Sequence, residues 1–153
     1  GLDKYFFPLD AIANWNRVYG RGGFVQHQFV VPKARGRAAL GEVLSIMAAR
    51  NAPACLAVLK LLGPDEAGML SFPMEGYTLA VDFPATPSVL TLLDELDAVV
   101  RAYNGRLYLA KDSRQSRETF EGGYPQLNAF RDLRRAAGAA SRFRSLQSDR
   151  LGI

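Results

Sequence analysis

The sequence contains one cysteine and one histidine, and this scarcity excludes two kinds of chemistry. Cys55 has no second cysteine with which to form a disulfide in the chain, and its place in the apolar run ACLAVLKLLG predicts a buried thiol. A closed zinc site usually takes four nitrogen or sulfur ligands. We therefore expect no structural metal site built from this chain alone.

Long apolar runs are also missing. No stretch approaches the roughly 18 to 20 apolar residues that cross a bilayer, and the first residues do not have the pattern of a signal peptide. We expect a cytoplasmic protein without a transmembrane segment, and association with a membrane surface stays open. The opening GLDKYFFPLD crowds aromatic residues without a start signal, so we expect the chain to belong to a longer protein.

Short catalytic motifs are equally scarce. The sequence has no P-loop, no GxGxxG after a strand and no HExxH. His27 stands between two glutamines in the middle of a strand pattern, which favours a packed or surface ring over a catalytic base. We expect no self-sufficient catalytic machinery in this chain.

The 153 residues are nearly half apolar, which predicts one globular domain over 1–153. The formal net charge of +4 comes largely from a basic last quarter, whose arginines are Arg131, Arg134, Arg135, Arg142, Arg144 and Arg150. These arginines alternate with apolar residues. That pattern favours the solvated face of an amphipathic helix over a site for nucleic acid or an anionic membrane.

Strand patterns occur four times, in GFVQHQFVVP, ACLAVLKLLG, YTLAVDFP and RLYLA. Two amphipathic helices are predicted between them, at 33–50 and from the Thr86-Pro87 start signal to the Asn104-Gly105 stop. The first helix should bury one stripe made of Ala38, Leu40, Val43, Leu44, Ile46 and Met47. Shorter helices should follow around 116–120 and 126–137. The order predicts an α+β fold: a ferredoxin-like antiparallel sheet with helices on one face and extra C-terminal helices.

The sheet face without helices should be polar. Alternation within the strands directs Gln26, Gln28, Thr78, Ala80 and Asp82 toward it. We place Lys60 at the end of the second strand, and Tyr108 and Lys111 at or just beyond the fourth. Such a face could bind a polar or anionic small molecule, and it could equally be an ordinary solvated face. The pattern alone leaves both interpretations open.

Four ordered segments resemble a known family: FFPLDAIANWNRVYGRGGFVQHQFVVP, VLKLLGP, LSFPMEGYTLAVDFP and NGRLYLAKDSR. They are similar to the C-terminal half of FAD-linked oxidoreductases of the vanillyl-alcohol oxidase type. The resemblance implies that 1–153 is the C-terminal substrate (cap) domain. It also implies that FAD is bound mainly by an N-terminal domain absent from this chain, which alone should be inactive.

The activity implied by the resemblance is oxidation of a secondary alcohol of a sugar, or of a polyprenyl-phosphoryl sugar, to a ketone by hydride transfer to flavin. In epimerase relatives a separate NADH-dependent reductase returns the hydride, so such a reductase is an expected partner. The alternative is a non-catalytic ferredoxin-like module that binds a small ligand or nucleic acid. RNA-binding sheets normally expose aromatic residues on their central strands, whereas this sequence has glutamine, threonine and alanine there.

The resemblance also assigns residues. Lys111 is the lysine that approaches flavin and substrate, where a cation would stabilise negative charge on the reduced ring, and Tyr108 joins it as a cofactor-binding residue. Gln26 and Gln28 match the family's paired glutamines, with His27 replacing the usual tyrosine between them. The other substrate-binding positions are Lys60 of VLK, Leu62 where relatives have an aromatic residue, and Thr78 and Ala80 where they have asparagine and cysteine. These departures imply a different substrate.

Overall fold

A computed structural model describes residues 1–14, 17, 19–64 and 68–153, apart from the side chains of residues 3, 4, 8 and 9. The strands are β1 Phe24–Pro32, β2 Leu56–Leu62, β3 Gly76–Pro84 and β4 Arg106–Leu107. The helices are α1 Leu2–Phe6, α2 Gly36–Ala49, α3 Pro87–Ala102, α4 Arg117–Gly123, α5 Leu127–Ala136, α6 Ala139–Arg142 and α7 Leu146–Leu151. Residues 15, 16 and 18 of the first family-like segment lie outside the described residues.

The four strands form one antiparallel sheet in the order β2-β3-β1-β4. With α2 between β1 and β2 and α3 between β3 and β4, this is the split βαβ arrangement. Both helices pack against each other and against β1. The predicted α+β fold class is confirmed.

The main core lies between the sheet and these two helices. Alternate residues of the central strands point into it, and Phe29, Val31, Leu79, Val81 and Phe83 are all buried. Helix α3 begins as its sequence predicts, because the Thr86 side chain accepts the Val89 N–H and Pro87 occupies the first turn. It ends before Asn104, which has a φ of 58°.

Helix α2 buries part of the predicted stripe: Val43 and Met47 are buried, and Leu40 and Ile46 are partly buried against the core. Its buried residues are Gly36, Ala39, Val43 and Met47, while Leu44 is 52% exposed. Gly36 is needed on this face because a Cβ there would lie 2.3 Å from the Tyr77 ring. The three- and four-residue spacing was correct, but the stripe begins at a glycine that the apolar pattern did not include.

The fourth strand is shorter than the predicted RLYLA. Only Arg106 and Leu107 pair with β1 as a strand, and residues Leu109–Lys111 form a 3-10 turn. The Lys111 N–H closes this turn on the Tyr108 carbonyl, and the Gln147 amide of α7 donates to the Leu109 carbonyl. The chain therefore bends away from the sheet, and Lys111 ends a turn rather than a strand.

The apolar side chains of the second strand are largely exposed. Strand β2 pairs only with β3 and forms one edge of the sheet, and Leu59 and Leu61 are more than half exposed. Cys55, which precedes it, is exposed rather than buried. Lys60 lies within β2, opposite Thr78, and not at its end. The sequence Gly63-Pro64-Asp65 predicts a turn after this strand, and residue 65 lies outside the described residues.

The C-terminal helices surround a second, smaller core of Phe120, Tyr124, Leu127 and Leu151. Arginines of the basic region help to hold this part together: Arg131 binds Glu121 and the Gly152 carbonyl, and Arg150 binds Asp112 and the Gln115 carbonyl. The predicted solvated face describes Arg135 and Arg144, which are largely exposed. It does not describe Arg131 and Arg150, whose bonds to backbone carbonyls are partly buried.

Candidate functional site

The sheet presents a polar face opposite α2 and α3. Because partners in an antiparallel ladder point to the same side, the register places Gln26 beside Asp82, Gln28 beside Ala80, and Lys60 beside Thr78 on that face. Leu62, at the end of β2, shares it. We call this set the polar face: Gln26, Gln28, Lys60, Leu62, Thr78, Ala80 and Asp82.

Asp82 is the most tightly held polar group on this face. The Tyr19 hydroxyl donates to Asp82 Oδ2 and the Gln26 amide donates to Asp82 Oδ1, both at 2.6 Å. Tyr19 itself stacks on Phe24, the first residue of β1, with 4.1 Å between ring centroids. The carboxylate is only 4% exposed. This arrangement fixes the Gln26 side chain against the sheet.

Gln28 is fixed in a similar way. Its amide nitrogen lies 3.2 Å from the Thr78 hydroxyl, and Thr78 is only 2% exposed. Thr78 is therefore too buried to contact a substrate directly, and its effect on the site is to hold the Gln28 side chain. Ala80, opposite Gln28, is half-buried and contributes a methyl group to the same surface.

A narrow cleft lies between β1 and the turn after β4. Gln26, Gln28, Tyr108 and Lys111 line it, together with residues from the helix side of the sheet and from the segment after the turn: Val25, His27, Leu93, Leu107, Asp112, Ser113 and Arg114. The cleft has about 10 Å³ of open volume, which is room for one water molecule at most. A substrate would therefore lie over the mouth of this cleft and not inside it.

Lys111 is exposed at this cleft. Across residues 1–14, 17, 19–64 and 68–153, no acidic side chain forms an ion pair with it. Tyr108 is half-buried, packs its ring 4.6 Å from that of Phe72 and donates its N–H to the Gln28 carbonyl. The turn thus presents an ammonium group beside two glutamines.

Asp112 stabilises the backbone that follows Lys111. One of its oxygens accepts the N–H groups of Arg114 and Gln115, and the other accepts from Arg150 at 2.8 Å. Burial opposes ionisation of Asp112, but the Arg150 hydrogen bond and the two backbone N–H groups outweigh it and hold its pKa below the ordinary value. The charges of LAKDSR therefore divide into one exposed lysine and two groups that support the turn.

Arg114 anchors the same segment to the helix layer. It donates to Asp97 of α3 from both terminal nitrogens, and Asp97 also lies 2.8 Å from His27 Nε2. His27 is buried on the helix side of β1. Of the two positions predicted for this ring, packed or at the surface, the structure shows the packed one, on the opposite face from the paired glutamines.

The structure brings four of the predicted site residues together, Gln26, Gln28, Tyr108 and Lys111, with Thr78 and Ala80 beside them. Lys60 and Leu62 lie on the edge strand, separated from β1 by β3. Sequence reasoning missed Tyr19, which follows no strand or helix period. It placed Asp82 on the polar face but did not pair it with Gln26, because that pairing needs a cross-strand register.

Two further properties concern the whole described chain. Within it, no three His, Cys, Asp or Glu side chains are grouped so that they could hold a metal ion. None of the helices in the same residues combines the length and the apolar character needed to cross a membrane.

Sequence similarity confirms the resemblance to an oxidoreductase. The chain is 38% identical over 152 residues to decaprenylphosphoryl-beta-D-ribose oxidase of Mycolicibacterium smegmatis. The matched region covers 99% of this chain and 33% of that protein. It is 45% identical over 97 residues, 63% of this chain and 26% of the other, to an uncharacterised Streptomyces coelicolor protein from the mprA 5′ region. The chain thus spans a third or less of these relatives. No known protein-family profile matches it.

Proposed function

We propose that this chain is the C-terminal substrate domain, residues 1–153, of an FAD-dependent oxidoreductase that acts on CH–OH groups. Its substrate is a sugar or a polyprenyl-phosphoryl sugar, whose secondary alcohol becomes a ketone. FAD is bound mainly by an N-terminal domain, and the fragment alone is inactive. The proposal is supported by the 38% identity to an oxidase of a decaprenylphosphoryl sugar.

The observation that carries the proposal is the meeting of Gln26, Gln28 and Lys111 at one cleft. Two amide side chains are held by the sheet, while an ammonium without an acidic partner among the described residues stands at the mouth. A free cation of this kind suits the electron-rich edge of a flavin ring. The residues present therefore fit the cofactor that the resemblance implies.

Each side chain has a role in this proposal. FAD, when bound, would supply the two-electron oxidant for the alcohol carbon, whose hydroxyl proton would be lost to water. The Lys111 ammonium supplies positive charge close to the reacting atoms, and its worth is greatest once substrate excludes water. Gln26 and Gln28 orient the sugar by hydrogen bonds to its hydroxyl groups.

Lys60 supplies charge at a distance from the reacting atoms. It is exposed on the edge strand, beside Thr78 and one strand further from the cleft than Ala80. We propose that it binds the phosphate of a lipid-linked substrate, with the apolar Leu62 next to it on the same face. The protein would then work in the cytoplasm at a membrane surface and pass its ketone to an NADH-dependent reductase.

The test uses the full-length protein that contains this chain. Its visible spectrum should show flavin bands, and anaerobic addition of a short-chain polyprenyl-phosphoryl ribose should bleach them. A colourless protein, or bands unchanged by phosphorylated and free sugars, would contradict the proposal. Tight, salt-dependent binding of single-stranded RNA by a colourless protein would favour the binding-module alternative instead.

A further inference from the structure

We infer that Asp82 is a positioning residue that sets the direction of the Gln26 amide, so that the site accepts hydrogen bonds from substrate hydroxyls. This inference rests on the proposed function and adds to it a rule for substrate recognition. It concerns a group buried under the polar face, which the proposed chemistry does not itself use.

The direction of the Gln26 amide follows from hydrogen-bond chemistry. An ionised carboxylate can only accept, so the contact of 2.6 Å between Gln26 and Asp82 Oδ1 requires the amide nitrogen to point at Asp82. Gln26 Oε1 then faces away from the carboxylate. An amide turned the other way would place two acceptor oxygens against each other.

Asp82 is itself prevented from turning. Its second oxygen accepts the Tyr19 hydroxyl at 2.6 Å, and the Tyr19 ring is stacked on Phe24. A carboxylate held at both oxygens keeps one orientation, and the orientation of the Gln26 amide is fixed by its hydrogen bond to that carboxylate. Tyr19 is therefore a second positioning residue, which acts on Gln26 through Asp82.

The charge of Asp82 also strengthens Gln26 as an acceptor. A hydrogen bond to an ionised oxygen is roughly twice as strong as a neutral one, and neighbouring hydrogen bonds in a poorly solvated site polarise each other. Polarisation of the amide by the carboxylate raises the negative charge on Oε1. The position beside Gln26 thus favours a hydroxyl donor and disfavours an anion.

The Gln28 amide is directed like that of Gln26, with its nitrogen toward the sheet. Its amide nitrogen is directed at Thr78, and within the described chain neither glutamine carbonyl oxygen has a hydrogen-bond partner. Two adjacent acceptors on one strand match two hydroxyl donors of a polyol. An anionic group of the same substrate must then lie elsewhere, and Lys60 and Lys111 are the cations that flank the pair.

The test compares Asp82→Asn with wild type in the flavin-loaded full-length protein. Asparagine keeps the shape but offers both a donor and an acceptor, so the Gln26 amide loses its single direction. The probes are a short-chain polyprenyl-phosphoryl ribose and analogues that each lack one ribose hydroxyl other than the one that is oxidised. We expect the KM for the parent probe to rise about tenfold, as for one lost hydrogen bond to a site group, with flavin content unchanged.

The variant should also lose discrimination. In wild type one analogue should be a markedly poorer substrate than the others, and in Asp82→Asn that difference should shrink. Tyr19→Phe, which keeps the ring but removes the donor, should change KM in the same direction by less. Glu75→Gln is the control, since Glu75 is an exposed carboxylate paired with Lys33.

The outcomes separate the two claims. If wild type is not reduced by any probe, the proposed function fails and the inference fails with it. If wild type is reduced while Asp82→Asn keeps its KM within twofold and its preference among analogues, the inference alone is overturned. A uniform loss for all probes, with a lower melting temperature and an unaffected Tyr19→Phe, would make Asp82 merely structural and would also overturn it.

Discussion

Arg114 grips the buried Asp97 carboxylate with both terminal nitrogens, at 2.9 and 2.5 Å from Asp97 Oδ2. Arg114 lies three residues after Lys111, so this contact joins helix α3 to the segment that carries Lys111. Since Asp112 holds the backbone between them, the turn bearing Lys111 is fixed at both sides. The position of Lys111 therefore depends on ion pairs made by Asp112 and Arg114, which line the same cleft.

Loss of Asp97 should destabilise the protein strongly. Asp97→Ala leaves the Arg114 guanidinium half-buried without its main partner and removes the hydrogen bond to His27, so we expect a loss of about 3–5 kcal/mol in the free energy of unfolding. Asp94→Ala is the matched control, because Asp94 pairs with the same arginine from an exposed position and should cost about 0–1 kcal/mol. Urea unfolding measures both, and equal losses would contradict the account.

Asp112 should contribute to acid sensitivity. Its pKa in the folded protein lies below the unfolded value, so its contribution to stability is complete above the unfolded pKa and is lost as pH falls through the folded pKa. The unfolding free energy of wild type should thus fall more steeply between about pH 5 and pH 2 than that of Asp112→Asn. Arg150→Ala should flatten the curve as well, because it removes the main hydrogen bond that favours the charged form. Parallel curves for wild type and Asp112→Asn would disprove the assignment.

Replacement by alanine should change the free energy of unfolding in opposite directions at two glycines. A Cβ at Gly76 would lie 2.0 Å from the Val31 carbonyl oxygen, where β3 pairs with β1, so Gly76→Ala should cost about 1–3 kcal/mol through overpacking. Gly41 lies exposed in α2 and a Cβ there meets nothing within 4 Å. Gly41→Ala should therefore stabilise the protein by about 0.5–1 kcal/mol through helix propensity. Thermal or urea unfolding checks the signs, and a neutral Gly76→Ala would show that the strand ends can separate freely.

Cys55 should be chemically accessible in the native protein. Because its thiol is exposed, a disulfide reagent that releases a coloured thiolate should react without denaturant. Comparison with Cys55→Ala isolates this thiol from any cysteine elsewhere in the full-length protein. A thiol that reacts only after unfolding would contradict the exposed position and would support the buried thiol predicted from the apolar run.

Local patterns in the sequence were enough to predict the order of strands and helices along the chain and the two ends of α3, because alternation, a Thr-Pro cap and an Asn-Gly stop act within a few residues. They failed where the surroundings decide burial. Cys55 and Leu59 are apolar or nearly so, yet they are exposed because β2 has a neighbour on one side only. The end of β4 depends on Gln147, 38 residues away from the carbonyl that it binds.

The site shows the same division. Alternation placed Gln26, Gln28 and Asp82 on one face, which the register confirms. The pairing of Asp82 with Tyr19 spans 63 residues, and no short-range pattern contains it. The roles given to Lys111 and Lys60 come from the family resemblance and stay predictions.

The most direct test of the central claim is the rate of flavin reduction in Lys111→Ala, measured by anaerobic stopped-flow with a saturating sugar substrate. Full-length Lys111→Ala should bind flavin but be reduced about 10²–10³ times more slowly than wild type, because a charge aimed at the reacting atoms is lost. Lys33→Ala, which removes an exposed lysine paired with Glu75, should be reduced at the wild-type rate. A Lys111→Ala protein that is reduced as fast as wild type would contradict the account.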